Sequence, residues 1–444
     1  MFYLSKDIEL DISLLQKMIN QFNVEVKPKL QKYKNYYDGI QAILNKSYSD
    51  PTKPCNKSVI NYSRNIVDSY CGYLATPGCI SYRSENDIED IMNILRYNDY
   101  QAEDSDLLQD ALIYGVANEL MYMDNESKTR FRLISPLMSF GIFDDSLTED
   151  LLYFVRMYKR NQWSYDDIYC VDVYDSFYVK HYTMSGMNGY LHFIGEEFHY
   201  FGQCPANIFY MPDEKSVFDC VISLQDSMNE LLSAEIDDFA AFCDAYMILE
   251  GVDAEPEDIA AMKANRVLLL PEGATANYLT KATNDAQIEN ILKRIHDSIY
   301  RIAQCPDFSS ETFVGGVSSG VAIKYRLTGM ETRAGKIEAE MKKALQRRVE
   351  IICGMAALKL GEAVFRDIQI DFKRNVPEDV ASTVNMINTL KGTVSDATLL
   401  SQLDFITDVN AELAALQEQK AANMELYGFT APTTGDESEE DEEE

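Results

Sequence analysis

Residues 311–325, ETFVGGVSSGVAIKY, come nearest in this chain to a catalytic motif, and three motifs overlap in them. Gly316 to Gly320 read G-x-S-x-G, which in hydrolases presents a nucleophilic serine, here Ser318, on a tight strand-to-helix turn. Gly315 to Gly320 supply the first six positions of a phosphate-cradling loop, and Val321 to Lys324 spell the V-A-I-K of an ATP-contacting strand. Each reading fails on a physical requirement. All four histidines, His181, His192, His199 and His296, precede Ser318, whereas the hydrolase order puts the base after the nucleophile. A phosphate loop needs its lysine directly after the second glycine, where this chain has Val321. Ile323 and Leu327 are spaced for a helix, not a strand, and no H-R-D or D-F-G follows.

Metal chemistry has no better footing. There is no H-E-x-x-H, and the nine cysteines, at 55, 71, 79, 170, 204, 220, 243, 305 and 353, form no C-x-x-C pair. An odd number of scattered thiols fits a reducing cytoplasm rather than a disulfide framework. Carboxylates abound, so any close pair is expected by chance. The chain is therefore read as no enzyme, with no catalytic residue, metal or cofactor.

The elements that hold this stretch are mostly helical. Residues 11–45 have helical periodicity with an interruption near Pro28, and Val59, Tyr62, Ile66, Tyr70 and Tyr73 form one face of a helix ended by Thr76-Pro77-Gly78. Two more helices are expected over 86–116. From ANELMYMD to YLHFIGEEFHYF, short Tyr-, Phe- and Val-rich runs broken by Asn, Asp and Gly predict an antiparallel sheet. Over 220–246 the apolar positions Leu224, Met228, Leu231, Leu232, Ile236 and Phe239 keep helical steps, with Asp226, Glu230, Asp237 and Asp244 on the opposite, wet face. A small insert at 247–285 leads to a second helix, a small-residue loop at 305–319, and a long helix from 320 to about 361 with Gly329 and Gly335 as places to bend. IQIDFKR then reads as a strand, and VPEDVASTVNMINTLKG and SDATLLSQL open further helices. The fold class is α+β.

Composition narrows the function. The chain has 444 residues, 46% hydrophobic and 25% charged, ordinary for a folded protein of two or three modules. Its balance of 72 Asp+Glu against 40 Lys+Arg gives a formal charge of −32, and GDESEEDEEE at the C-terminal end is read as a solvated tail. So acidic a surface disfavours tight, broad binding of nucleic acid, which needs cations to displace counterions. The N-terminal MFYLSKDIELD lacks the basic start of a signal peptide, and no run approaches the ~18 apolar residues of a membrane span. An acidic cytosolic scaffold or DNA-mimic binding protein would fit these features.

Four segments carry a more specific resemblance: NKSVINYSRNIVDSYCGYLATP (56–77), SLQDSMNELLSAEIDDFAAFCDAYMILEG (223–251), FVGGVSSGVAIKYRLTGMETRAGKIE (313–338) and NVPEDVASTVNMINTLKGTVSDATLL (375–400). In order and spacing they resemble the portal proteins of tailed bacteriophages, in the siphovirus-type family of phages of Gram-positive hosts. The resemblance implies a portal fold. Its parts would be an α+β wing (1–215, with a strand at 366–374), two stem helices (216–246 and 286–304), a small α/β clip (247–285), a tunnel loop (305–319), a long bent wing helix (320–361), a helical crown region (375–434) and the acidic tail (435–444). It implies a homo-oligomeric ring, usually of twelve subunits, at one capsid vertex of the virion, assembled in the host cytoplasm. Double-stranded DNA would be packaged and ejected through the ring. The partners implied are the terminase large subunit, a head-completion adaptor, the major capsid protein and a scaffolding protein, with no membrane. Asp307, Glu311, Phe313, Val314, Gly315, Gly316, Val317, Ser318, Ser319 and Gly320 would border the DNA channel, and Asp226, Glu230, Asp237 and Asp244 would form an acidic stem face. Glu255, Glu257, Asp258, Lys263 and Arg266 would dock the clip's partners. No Lys or Arg lies between Cys305 and Gly320, so the implied loop is a steric collar, and an acidic wall would repel phosphate within a Debye length of ~8 Å. Neighbouring subunits would meet through the Ile and Leu stripes of the stem and wing helices.

Overall fold

A computed structural model describes residues 2–51, 53–161, 163, 167–187, 189–243, 247–250, 275–278, 285–309, 320–355, 364–375, 386–400 and 412–419. The chain divides into two units, Met1–Asn375 and Val376–Glu444.

In the first unit a two-residue strand, β1 (Phe2–Tyr3), precedes helix α1 (Ile12–Gln21), whose start is capped by the Asp11 carboxylate accepting from Leu14 N at 2.7 Å. The helix widens into a π turn at Phe22–Val26 and continues as α2 (Lys27–Tyr37). Pro28 accounts for the widening: it has no N–H for the carbonyl four residues back, and its ring crowds that carbonyl. Helices α3 (Tyr62–Leu74), α4 (Glu89–Tyr97) and α5 (Tyr100–Tyr114) follow, with β2 (Ile80–Arg83) between α3 and α4. α5 ends at Gly115, at φ 83°, where an added Cβ would meet the backbone of Glu214 and Lys215 at 2.7–2.8 Å. Only glycine fits there.

The β region forms two sheets, not one. β3 (Val116–Met123), β4 (Thr129–Ile134) and β10 (Ala206–Tyr210) make a three-stranded antiparallel sheet in the order β10-β3-β4. β5 (Ser139–Phe143), β6 (Leu151–Lys159), β7 (Ile168–Tyr174), β8 (Tyr178–Ser185) and β9 (His192–Phe198) make the second, with β1 parallel to β5 at its edge. The chain changes sheet in the turn at Ser135–Met138, which contains Pro136, a residue unable to donate to a ladder. β5 and β10, of five residues each, were too short and too interrupted to stand out in the sequence. Leu15, Ile19 and Phe22 on one side of α1 and its π turn pack against Phe140, Val155 and Val171 of the larger sheet, with the Phe22 and Phe140 rings stacked at 4.9 Å.

Beyond the sheets come α6 (Ile222–Cys243), the antiparallel pair β11 (Met247–Glu250) and β12 (Thr275–Tyr278), α7 (Asp285–Ala303) and the 34-residue α8 (Gly320–Cys353). α6 and α7 pack on each other. α8, about 51 Å long at 1.5 Å per residue, passes Gly329 and Gly335 without interruption. It ends at Cys353, ahead of the expected 361; residues 356–363 lie outside the described residues. Leu327, Met330, Ala334, Ile337, Met341, Leu345, Val349 and Ile352 are buried within the chain. This corrects the reading of the α8 stripe as a contact between subunits, because its own chain already covers it. β13 (Gln369–Phe372) pairs antiparallel with β2. In the second unit, residues 386–390 are helical, Gly392 turns the chain at φ 88°, and a short helix spans Asp396–Leu400.

Candidate functional site: the helical hairpin and the base of its loop

The side of α6 that faces its own chain is polar. Gln225, Asn229, Ser233 and Asp237 repeat every four residues and are all buried. They accept from the segment before α3 and from its first turn: Asn56 N to Asp237 Oδ1 at 2.6 Å, Ser58 N to Ser233 Oγ at 3.0 Å, Ile60 N to Asn229 Oδ1 at 2.8 Å, and, in α3, Ser63 N to Gln225 Oε1 at 3.1 Å. The spacing has a simple cause. Four residues of helix rise about 6.0 Å and two residues of extended chain advance about 6.6 Å, so the alternate N–H groups of 56, 58 and 60 meet successive turns, and Ser63 meets the next from the start of α3. Asn61 then caps α3 by accepting from Arg64 N.

Asp237 also receives Lys46 Nζ at 2.7 Å and Asn56 Nδ2 at 2.8 Å. Burial opposes its ionisation, but the Lys46 ammonium and the Asn56 donors prevail and hold the carboxyl at about 2. Asp226 accepts from Tyr36 OH at 2.8 Å, and Tyr33 OH donates to Asp219 just before α6. The expected acidic stem face is thus divided. Asp226 and Asp237 bind the chain's own N-terminal region, Glu230 is exposed, and Asp244 lies outside the described residues. A carboxylate that must neutralise Lys46 and cap backbone N–H groups is not free to line a channel.

α7 ends in a left-handed turn at Gln304 (φ 53°), with Gln304 N on Arg301 O and Cys305 N on Tyr300 O. The last carbonyls of a helix need donors, and here they come from neighbours: Tyr70 OH to Ala303 O and Gln304 O, both 3.1 Å, and Arg333 Nη1 of α8 to Ala303 O, 3.1 Å. His296 holds the next turn, with Nδ1 2.9 Å from Tyr62 OH and Nε2 3.1 Å from Asp307 Oδ2, while Ser309 donates its N–H and hydroxyl to Asp307 Oδ1. α3, α7 and α8 therefore converge where the loop begins. Tyr, His and Asp in series could suggest a proton relay. Burial and Asp307 raise the Tyr62 hydroxyl, however, the reverse of an activated nucleophile. Burial likewise pushes Cys305 up to about 11, leaving a thiol rather than a thiolate.

Of the remaining site residues read from the sequence, Gly320 is the first residue of α8. Glu311, Phe313, Val314, Gly315, Gly316, Val317, Ser318 and Ser319 lie outside the described residues, as do Glu255, Glu257, Asp258, Lys263 and Arg266.

Two ionic clusters fix α8, and sequence reasoning missed both. Arg348 is fully buried; Nε donates to Glu119 Oε2 at 2.9 Å, Nη2 lies 2.8 Å from Glu119 Oε1, and Nη1 bonds Asp104. Tyr82 OH adds a bond to Asp104 at 3.2 Å and Asn207 Nδ2 one to Glu119 at 3.0 Å. Burial raises the Asp104 carboxyl and Arg348 works against that rise, so one guanidinium serves two buried acids. Arg374, beyond β13, pairs with Glu331 at 2.8 Å and Glu338 at 2.6 Å, and Tyr73 OH donates to Glu331. The available signal was Arg348 itself, an arginine between Leu345 and Ile352 on an apolar stripe. On α5, burial and the nearby Asp106 push Asp110 up to about 6.

The described residues thus give a helical hairpin with a two-stranded insert and a long helix anchored in an α+β body. The chain belongs to the phage portal protein family: residues 16–426 match the family model described as "Phage portal protein, SPP1 Gp6-like". It is similar to the portal protein of Bacillus phage SPP1, with 22% identity over 476 residues, 98% of this chain and 92% of that one. Membership makes this a phage portal protein, a structural part of the capsid that provides the channel for DNA packaging. No described helix is long and apolar enough to cross a membrane.

Proposed function

We propose that this chain is one subunit of a twelve-membered ring at the portal vertex of a phage capsid. α6 and α7 form its stem, and residues 247–285 form a clip that docks the terminase large subunit during packaging and a head-completion adaptor afterwards. Residues 305–319 form a collar of small side chains around the passing duplex, and α8 carries that collar into the wing. The second unit supplies the crown. The major capsid protein surrounds the ring, and a scaffolding protein accompanies its assembly.

The observation that supports this best is the base of the loop. Tyr70, Arg333, Tyr62 and His296 bind the last turn of α7 and the first residues after it, so the loop starts from a fixed point shared by three helices. A collar that holds its diameter while a polyanion slides past needs a rigid mount, and it needs no positive charge. The glycines and serines of 315–320 suit that task sterically, so Ser318→Ala is expected to leave packaging unchanged while Gly320→Val, at the helix junction, impairs it.

Light scattering of the purified chain tests the ring, with about 600 kDa expected for twelve copies of 50.5 kDa. A monomer under all conditions, or a small oligomer that tightly binds a basic protein, would replace the ring with an acidic scaffold.

A further inference from the structure

The hairpin carries opposite charge on its two outer sides. α6 has five carboxylates and no basic residue. Asp226 and Asp237 are engaged by Tyr36 and Lys46, and Asp238 has an interaction of its own, which leaves Glu230 and Glu235. Glu230 lies on an exposed stripe with Ser223, Ser227, Ala234 and Asp238, and it has no hydrogen-bond or ion-pair partner among the described residues. Met228 is buried about 160° around the helix from Glu230, so this stripe faces away from the packed side.

α7 shows the reverse. Asn290, Lys293, Arg294, Asp297, Ser298 and Arg301 line one shallow groove along a single helix face. Its three cations outweigh its one acid, and none of the three has an ion-pair partner among the described residues. Ile299, fully buried, lies about 180° around α7 from Asn290. The two stripes therefore point outward from a hairpin whose helices pack on each other.

Closing a ring from identical copies requires each copy to meet the next through two different, complementary surfaces. A subunit of charge −32 repels its own kind, so an exposed cationic face has particular weight in pairing copies. We infer that the acidic stripe of α6 docks on the cationic stripe of α7 of a second copy of this chain, head to tail around the ring. This rests on the ring reading above.

The full chain supplies the test, read by native mass spectrometry at about 0.15 M salt, where exposed charges beyond ~8 Å are screened and close pairs still count. Glu230→Lys with Ala234→Lys makes both stripes cationic, and Lys293→Glu with Arg301→Glu makes both acidic. Each variant alone is expected to lose the ring. Mixed one to one, they should recover it as alternating rings with even subunit counts only, and a chain carrying all four substitutions should form rings by itself. Rings from either double variant alone would overturn the inference. So would failure of both the mixture and the fourfold variant to assemble. A parent chain that forms no ring overturns the ring reading as well, whereas parent rings beside unaffected variants overturn the charge pairing alone.

Discussion

At the scale of single residues, the buried charges carry the largest consequences. Arg348 is the sole counter-charge of Asp104 and Glu119 among the described residues, so Arg348→Met strands two buried acids and should cost about 3–5 kcal/mol in chemical denaturation. Adding Asp104→Asn and Glu119→Gln should return a good part of that loss; no recovery would mean that Arg348 acts through packing on Phe131, which its guanidinium covers at 4.5 Å. Asp110 predicts a pH dependence of definite sign. Its folded pKa of about 6 exceeds the ordinary 3.8, so the acid favours the fold at low pH and disfavours it as pH rises through 6. Asp110→Asn should therefore melt like the parent near pH 4 and be more stable by about 1–3 kcal/mol at pH 8. Asp237 runs the other way: held at about 2, its contribution persists above the ordinary carboxylate range and fades only in strong acid.

At the scale of elements, periodicity exposed the helices and concealed their polar attachments. The faces of α3 and α8 were legible because Tyr62, Ile66 and Tyr70, or Leu327, Met330 and Ala334, are apolar at helical steps and buried for that reason. Gln225, Asn229 and Ser233 carry the same step of four in polar residues, which reads as a wet face. Their partners are backbone N–H groups about 170 positions away, and nothing local in the sequence announces them. The division into two sheets was hidden likewise, since β10 returns to β3 across six intervening strands and Glu119, central in β3, is buried against expectation. Small residues alone predict a loop at 305–319, whereas the contacts from Tyr62 through His296 to Asp307 at its start depend on tertiary proximity. Asn229→Ala or Ser233→Ala removes the acceptor of one half-buried N–H and should cost about 1–2 kcal/mol. Amide exchange should accelerate at Ile60 or Ser58 respectively, with α8 unaffected; equal acceleration throughout would show global rather than local loosening.

At the scale of the whole molecule, charge governs association. Deleting residues 435–444 removes eight acids and leaves −24, so rings should form at lower salt while the melting temperature stays within about 2 °C, by sedimentation and calorimetry respectively. The polar rungs between segment 56–63 and α6 have a further consequence at this scale, because helix and extended chain work as a vernier. Their graduations differ by about 0.6 Å per rung, so the mismatch passes about 1 Å over the two extended steps from Asn56 to Ile60, and a longer ladder would fall out of alignment. A slip of one residue along the helix rotates every acceptor by about 100°, and a slip of one along the extended chain turns every donor away. No neighbouring setting satisfies even half the rungs. The height of the hairpin relative to the body that holds it is therefore digital: each copy reads the same mark on the same scale, so the level of its hairpin is set within the chain before any contact with a neighbour is made.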